Sequence, residues 1–579
     1  MTCGVDRRPR FGIVGRGWPG RFPSARPSAS SGRPEPVEGR REDRRRSPEH
    51  RWERPGQDPR PTRSRLGIVA FCIVLQLLLA ASSAQAQPAA APELRAVWVD
   101  AFHAGIRSPE EAAQLVADAK RIHLNTLIVQ VRRRGDALYT GGLEPPLDDV
   151  NYQPSFDALA HIVSAAHAAG LQVHAWINAM PVWRDEAPPK DARHVFNLHG
   201  PNAAGDACWL TRARDGAKKF PVGYFLDPGH PAAQNHLVSV YLDIVRRYGV
   251  DGIHFDYIRY PETEGQALPR GADAGYHPVS VARFQRATGR SDVPAPDDEA
   301  WTRWRRQQVT QLVRRISIEA RAIKPRIKVS AATIAWGRPP ESLADFENVA
   351  PMQRVFQDWQ GWLAEGLLDL AVPMNYAREH DERVRGWFDG WIAWEKKYRA
   401  DRQLAVGVGA YLNAPDGVLA QLSRVRTPDG RHRADGVSLF SYYQPSMAPR
   451  PPIAAPDRLD YLVRGAGSAA AAFAGPAPVP PMPWIERPTH GFIAGTVTGA
   501  DGTALESLNI RIRRTGWFRK TRRTTSDANG WFGMTQLAPG RYSVGLEDAQ
   551  GRALPARVEV AVTAGGVARV VLDRDRRGE

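Results

Sequence analysis

From Glu93 to about Leu462 the chain alternates short apolar runs, rich in β-branched residues, with longer amphipathic stretches. The runs LRAVWVD (94–100), NTLIVQVR (125–132), LQVHAWIN (171–178), VDGIHFDY (250–257), IKVSAAT (327–333), LLDLAVPMNY (367–376), LAVGVGAY (404–411) and DGVSLFSYY (435–443) predict eight strands. Helical patterns lie between them. SPEEAAQLVADAKRIH opens on Ser108 as N-cap with Pro109 in the first turn, SFDALAHIVSAAHAAG ends on Gly170, AAQNHLVSVYLDIVRRYG ends on Gly249, and WTRWRRQQVTQLVRRISIEARAI stops at Lys324-Pro325. Apolar strands alternating with helices imply a parallel sheet covered by helices. The repeat count predicts an α/β fold, a (β/α)8 TIM barrel over residues 93–462. An open doubly wound sheet would carry a glycine-rich phosphate turn after an early strand, and none of these strands is followed by G-x-G-x-x-G.

Residues 463–490, with AGSAAAAFAGPAPVPPMPWIERPTH inside them, read as a semi-rigid Ala/Pro linker. Over 491–575 the runs GFIAGTVT, LNIRIRR, RRTTS, WFGMTQL, RYSVGLE, ARVEVAV and VARVVLD are short strands parted by turn signals such as Asp501-Gly502, Asn529-Gly530 and Pro539-Gly540. They predict a small all-β sandwich.

The net charge of +16 changes meaning once it is located. Residues 1–65 hold 17 Arg against 8 Asp plus Glu, or +9, leaving 16 − 9 = +7 for the rest. That segment lacks an apolar period and reads as a disordered basic extension. It is followed over 66–86 by an uncharged apolar run ending in Ala84-Gln85-Ala86, the pattern of a secretory signal peptide. The true start is therefore expected near residue 60, and the mature chain is expected to be periplasmic or extracellular without a stable membrane anchor. A membrane-spanning anchor would need about 20 apolar residues. Of Cys3, Cys72 and Cys208, the first two precede the cleavage point, so no internal disulfide is expected.

In a (β/α)8 barrel the reacting groups stand at the C-terminal ends of the strands. Those ends carry Asp100; Arg132, Arg134 and Asp136; Asn178; Asp256, Tyr257, Arg259 and Tyr260; Trp336; Asn375 and Tyr376; and Tyr442 and Tyr443. Rings that stack on sugar faces, with amides and guanidinium groups that bond hydroxyls, suit a polysaccharide ligand. Each has a plainer structural reading: Asp100 as a cap, Arg132 paired with Asp136, Trp336 as a plug under a loop. Asp256 is the sharpest candidate, because a carboxylate following Ile253-His254-Phe255 is pushed toward a desolvated floor where its pKa can be tuned. The competing reading is a structural Asp clamped by Arg259 or Arg132. His254 shares its strand face and reads as a hydrogen-bonding neighbour rather than a metal ligand. No metal cluster, phosphate loop or nucleotide fingerprint is present in the sequence, so a reaction without cofactor is expected.

The motifs LRAVWVD, NTLIVQVRRRGDALY, GLQVHAWIN, YGVDGIHFDYIRYP, WRRQQVTQLVRRI, QDWQGWLAEGLLDLAVPMNY and DGVSLFSYY occur in order across nearly all of residues 93–445 and resemble glycosyl hydrolase-like family 10. The resemblance implies a TIM-barrel glycosidase among exported bacterial proteins, some members being associated with cleavage of peptidoglycan glycan strands. It also implies that Asp256, in HFDYIRYP, is the catalytic carboxylate. DGIHFDYIRYP is similar to the chitinase signature D-G-I-D-x-D-x-E as well, but Ile258 stands where that family has its acid and His254 replaces an Asp, so the substrate-assisted mechanism does not carry over. TSDANGWFGMTQLAPGRYSV resembles the carboxypeptidase regulatory-like domain, which implies an accessory or adhesive role.

Most glycosidases need two carboxyl groups. The expected partner of Asp256 is Glu379, with Asp381, Asp100, Asp136 and Asp358 as rivals and a solvated loop charge as the plain alternative for Glu379. Arg132, Asp136, Asn178, His254, Tyr257, Arg259, Trp336, Asn375, Tyr376, Tyr442 and Asp100 are expected to line the substrate site. Nucleic acid is not an expected partner. The basic run RRTGWFRKTRR (513–523) reads as a solvated strand face open to anionic cell-envelope polymers. A protein that binds glycan or organises the envelope without catalysis is the alternative function.

Overall fold

A computed structural model describes residues 91–262, 273–447, 456–516 and 520–575. The basic extension and the signal-peptide segment lie outside the described residues. Among those described, no helix is long and apolar enough to cross a membrane.

All eight predicted barrel strands form. They are β1 (Leu94–Val99), β2 (Thr126–Arg132), β3 (Gln172–Asn178), β4 (Gly252–Asp256), β5 (Lys328–Ile334), β6 (Leu370–Asn375), β7 (Gln403–Gly409) and β8 (Gly436–Phe440). Each pairs in parallel with its chain neighbours, and β8 returns to β1 in the register Leu94 to Gly436, closing the barrel. Alternation sorts the side chains. Leu94, Ala96 and Trp98 of β1 meet Ile128, Trp176, Ala332, Leu370, Val372 and Ala405 inside the barrel, while Val97 and Val99 face the helices. Gly407 is required by this packing: a Cβ there would stand 2.7 Å from the Trp98 ring and 2.5 Å from the Pro373 carbonyl.

The helical layer includes α1 (Pro109–Arg121), α2 (Ala158–Ala168), α3 (Pro231–Arg247), α4 (Pro278–Thr288), α5 (Glu299–Ile323), α6 (Trp359–Ala364), α7 (Glu382–Tyr398) and α8 (Pro415–Arg426). Ser108 caps α1 as expected, its hydroxyl accepting from the Glu111 N–H at 3.2 Å. Cys208 is a buried free thiol.

The Ala/Pro segment is not a spacer, and this corrects the linker reading. Glu93 N–H donates to the Pro478 carbonyl at 3.0 Å, Asn125 Nδ2 to Ala477 at 3.0 Å, Gln403 Nε2 to Pro480 at 3.1 Å, and Trp484 Nε1 to Asp369 Oδ1 at 2.8 Å. All four barrel residues stand at strand starts. Met482, Val479, Trp484 and Ile485 join the interior cluster there, so this stretch closes the floor of the barrel.

Beyond the floor, β9 (Gly491–Thr498), β10 (Asn509–Arg514), β11 (Thr521–Thr525), β12 (Trp531–Leu537), β13 (Gly540–Glu547), β14 (Ala553–Val562) and β15 (Val567–Asp573) form two sheets, ordered β12-β9-β15 and β11-β10-β13-β14. Their core gathers Ile493, Val497, Ile510, Ile512, Phe532, Val544 and Leu546. Sandwich and barrel belong to one compact unit. Trp531 packs on Ile318 of α5 and donates its indole N–H to Glu319 at 2.8 Å, while Arg569 holds the same carboxylate with two bonds of 2.6 Å. Deleting a large buried aromatic costs about 3–5 kcal/mol. Trp531→Ala is therefore expected to detach the sandwich, so that calorimetry shows a second, lower transition. A single transition at the unchanged midpoint would refute a docking role.

Candidate active site

The site is built on β4. Alternation sends Ile253 and Phe255 outward and His254 and Asp256 inward, with His254 a layer below. His254 is fully buried: its Nε2 accepts from the Trp98 indole N–H at 3.1 Å and its Nδ1 meets Ser330 Oγ at 3.0 Å. The indole can only donate, so the ring is the neutral Nδ1–H tautomer. Burial pushes its pKa down to about 3. The expectation that His254 touches substrate is thereby corrected, since both nitrogens are used inside the barrel.

Asp256 ends the strand with 6% of its surface exposed. Its Oδ2 accepts from the Trp176 indole N–H at 3.1 Å and its Oδ1 from the Tyr257 backbone N–H at 2.6 Å. Burial pushes the carboxyl up to about 6, against the opposing pull of Arg259 and these two donors. The next residue, Tyr257, has φ of +48°, a left-handed backbone rarely taken by aromatic residues. That kink turns the chain out of the barrel and leaves the Arg259 guanidinium between two rings, 4.5 Å from the centre of Tyr257 and 5.0 Å from that of Trp336.

The Trp176 N–H is shared with Asn178 Oδ1 at 2.8 Å, and Asn178 Nδ2 in turn donates to the Arg133 carbonyl at 3.1 Å. Asp256, Asn178, Tyr257, Arg259 and Trp336 therefore form one connected group. Tyr376 supplies a further wall, its ring 6.4 Å from Trp98, 5.3 Å from Phe440 and 6.1 Å from Tyr411. Its phenol lies close enough to Asp256 to feel that charge.

The remaining expected site residues are used elsewhere. Arg132 is fully buried and grips Glu144 with bonds of 2.6 and 2.7 Å, rather than pairing with Asp136 or meeting a ligand. Asp136 ties its own turn by accepting from Arg133 N–H at 3.2 Å and Arg134 N–H at 2.8 Å. Asn375 points outward to the buried Glu395 of α7 at 3.0 Å, and the Tyr442 hydroxyl donates to Asp118 of α1 at 2.8 Å. Glu379 is turned onto α8, where Arg424 takes both its oxygens and Gln421 bonds one at 3.3 Å. This removes the geometric basis for pairing it with Asp256. Among its rivals, Asp381 caps α7 and Asp358 caps α6. Asp100 instead bonds His103 Nδ1 at 2.8 Å, and that half-exposed ring stacks on Tyr443 at 3.8 Å.

Sequence reasoning passed over Trp176, the direct partner of Asp256. Its signal was available: in HAWIN it lies two residues before Asn178, on the same strand face. His103 had no such pattern.

Two families match the chain. Glycosyl hydrolase-like 10 covers residues 93–410, more than half of the 579, and the carboxypeptidase regulatory-like domain covers 493–573. The chain is 26% identical over 313 residues to the glycosyl hydrolase DigH of Escherichia coli K12, across 50% of this chain and 66% of that protein. It is 24% identical over 303 residues to the glycosyl hydrolase YngK of Bacillus subtilis 168, across 49% and 54%. The chain thus spans just under two thirds of the first of these relatives and about half of the second. Among solved structures, the glycoside hydrolase domain of PgaB (BpsB) from Bordetella bronchiseptica is similar at 15% identity and a TM-score of 0.43, over 60% of this chain and 94% of that one.

Proposed function

Because the chain belongs to the glycosyl hydrolase-like 10 family, we propose that it is a glycoside hydrolase in which the Asp256 carboxyl protonates the leaving glycosidic oxygen. The observation that carries this reading is Asp256 itself: a buried acid at a barrel strand end, held by Trp176 and poised near pH 6. Peptidoglycan glycan is the proposed substrate, on the family resemblance and on the aromatic rim of Tyr257, Trp336, Tyr376 and Tyr443. For the second carboxyl we favour Asp100: Glu379, Asp381 and Asp358 are tied to helices and Asp136 to its own turn, whereas Asp100, which also accepts from the Phe102 N–H at 2.9 Å, stands at the end of β1 and is coupled to the half-exposed His103. The test is release of reducing ends from purified glycan strands by the intact protein and by its Asp256→Asn variant. Glycan binding that survives in both, with no release by either, would favour a non-catalytic role.

The protein is proposed to act outside the cytoplasm after cleavage behind Ala86, with the sandwich as an accessory unit fixed to α5 and open to envelope partners. Mass spectrometry of the mature protein is expected to find an N-terminus close to Gln87. Recovery of peptides from residues 1–60 in the native protein would overturn both the cleavage and the late start.

A further inference from the structure

The turn after β2 reads Arg132-Arg133-Arg134-Gly135-Asp136, and its three guanidinium groups have different fates. Gly135 takes φ of +87°, where a side chain would also meet His194 and Val195 at under 3 Å, so the turn is tight. Arg132 is consumed by Glu144. Arg133 is balanced by Asp136 at 3.2 Å and Asp149 at 3.5 Å. Among the described residues Arg134 has no comparably close partner. Its nearest carboxylate is Asp185 at 3.8 Å, which is 65% exposed, while the Arg134 side chain itself is only 14% exposed. The group lies over the Phe102 ring at 5.2 Å. Burial and the adjacent Arg133 both work against its charge, lowering its pKa. The same turn touches the site directly, because the Arg133 carbonyl accepts from Asn178, which shares the Trp176 N–H with Asp256.

A partly desolvated guanidinium whose nearest described counter-ion is the solvent-exposed Asp185, resting on an aromatic face at the edge of a sugar site, is arranged to take a carboxylate in the two-pronged manner of arginine. We propose that Arg134, backed by Phe102, forms a subsite for the free carboxylate of an acidic sugar residue, so that the substrate is an anionic glycan bearing a uronate or a lactyl-ether acid. The inference rests on the glycosidase reading and narrows its substrate class.

The experiment measures binding and turnover separately. Peptide-free peptidoglycan glycan and oligouronates are each compared with their carboxyl-reduced forms, in which the acid has become an alcohol. Binding is measured on the full-length Asp256→Asn protein, with and without Arg134→Met, and reducing-end release on the wild type. The acidic form of at least one glycan is expected to bind at least about tenfold tighter than its reduced form. Arg134→Met should bring that ratio close to one at an unchanged melting temperature. Which glycan shows the preference identifies the acid as lactyl or uronate. Equal binding of acidic and reduced forms, or a preference that survives Arg134→Met, overturns the subsite even where hydrolysis proceeds. A preference without any hydrolysis upholds the subsite and removes the hydrolase reading, and absence of binding by either glycan removes both.

Discussion

Asp256→Asn is expected to abolish glycan hydrolysis, by about 10²–10⁴-fold for loss of a positioned proton donor, while gaining stability relative to the wild type as pH rises toward neutral. The two effects share one cause. With its pKa raised to about 6, the folded state binds the Asp256 proton more tightly than the unfolded chain does. Stability contributed by this group is therefore full below the unfolded value near 4 and is lost as pH rises through about 6. A shift of this size corresponds to roughly 1–3 kcal/mol, and Asn, the neutral isostere of the acid, avoids the loss. The melting-temperature difference between variant and wild type should start at pH 4 from an offset set by the Asn amide facing one of the two N–H donors, shift in the variant's favour to pH 6 and level off above it. Wild-type turnover should decline over that same upper range as the proton leaves. Undiminished release of reducing ends by the variant would sink the assignment. So would a stability difference independent of pH, which would show that the carboxyl is not held in a desolvating site.

The strand pattern was legible because eight apolar runs alternate with helices of matching length, and each predicted run contains the observed strand to within a residue or so. The fate of individual side chains was harder to read, for reasons that are local. On β6, Leu370, Val372 and Met374 face inward, so strict alternation already turns Asn375 outward and Tyr376 in. Distance from the strand end was a weaker guide than parity. On β8, Phe440 closes the strand and the chain then turns, so the alternation that would carry Tyr442 inward stops short of it and the ring reaches α1. Between Gln130 and Arg132 the register with β3 shifts. Arg132 then meets Glu144 from a loop 12 residues on, a pairing with no local periodicity to announce it. The barrel floor was misread on composition: Ala and Pro suggested a spacer, whereas Met482, Trp484 and Ile485 within it are the apolar residues that plug the interior.

Arg132→Met is expected to be the most destabilising single change in the barrel, at about 3–5 kcal/mol, because it leaves a buried carboxylate behind. Arg132 and Glu144 are 0% and 1% exposed, and among the described residues the only other ionisable group bonded to Glu144 is His236, whose Nε2 lies at 2.9 Å. Burial alone would raise the Glu144 pKa, but the Arg132 charge, with His236, holds it well below the usual carboxylate range. The folded pKa is depressed, so the pair's stabilisation is present above about pH 4 and is lost as pH falls toward the depressed value. The wild-type contribution should accordingly fade on acidification, and the gap between Arg132→Met and wild type should narrow. Arg132 also donates through Nη1 to the carbonyls of Asn178 and Ala179, the latter at 2.9 Å, which fixes the turn that presents Asn178 beside Trp176 and Asp256. Turnover should therefore fall even in the fraction that folds. Adding Glu144→Gln removes the orphaned charge and should recover much of the stability, but not the activity, because the carbonyl contacts are still missing. Equal recovery of both would mean that Arg132 serves only to neutralise Glu144, and a loss below about 1 kcal/mol would mean that the pair is far better solvated than its burial implies.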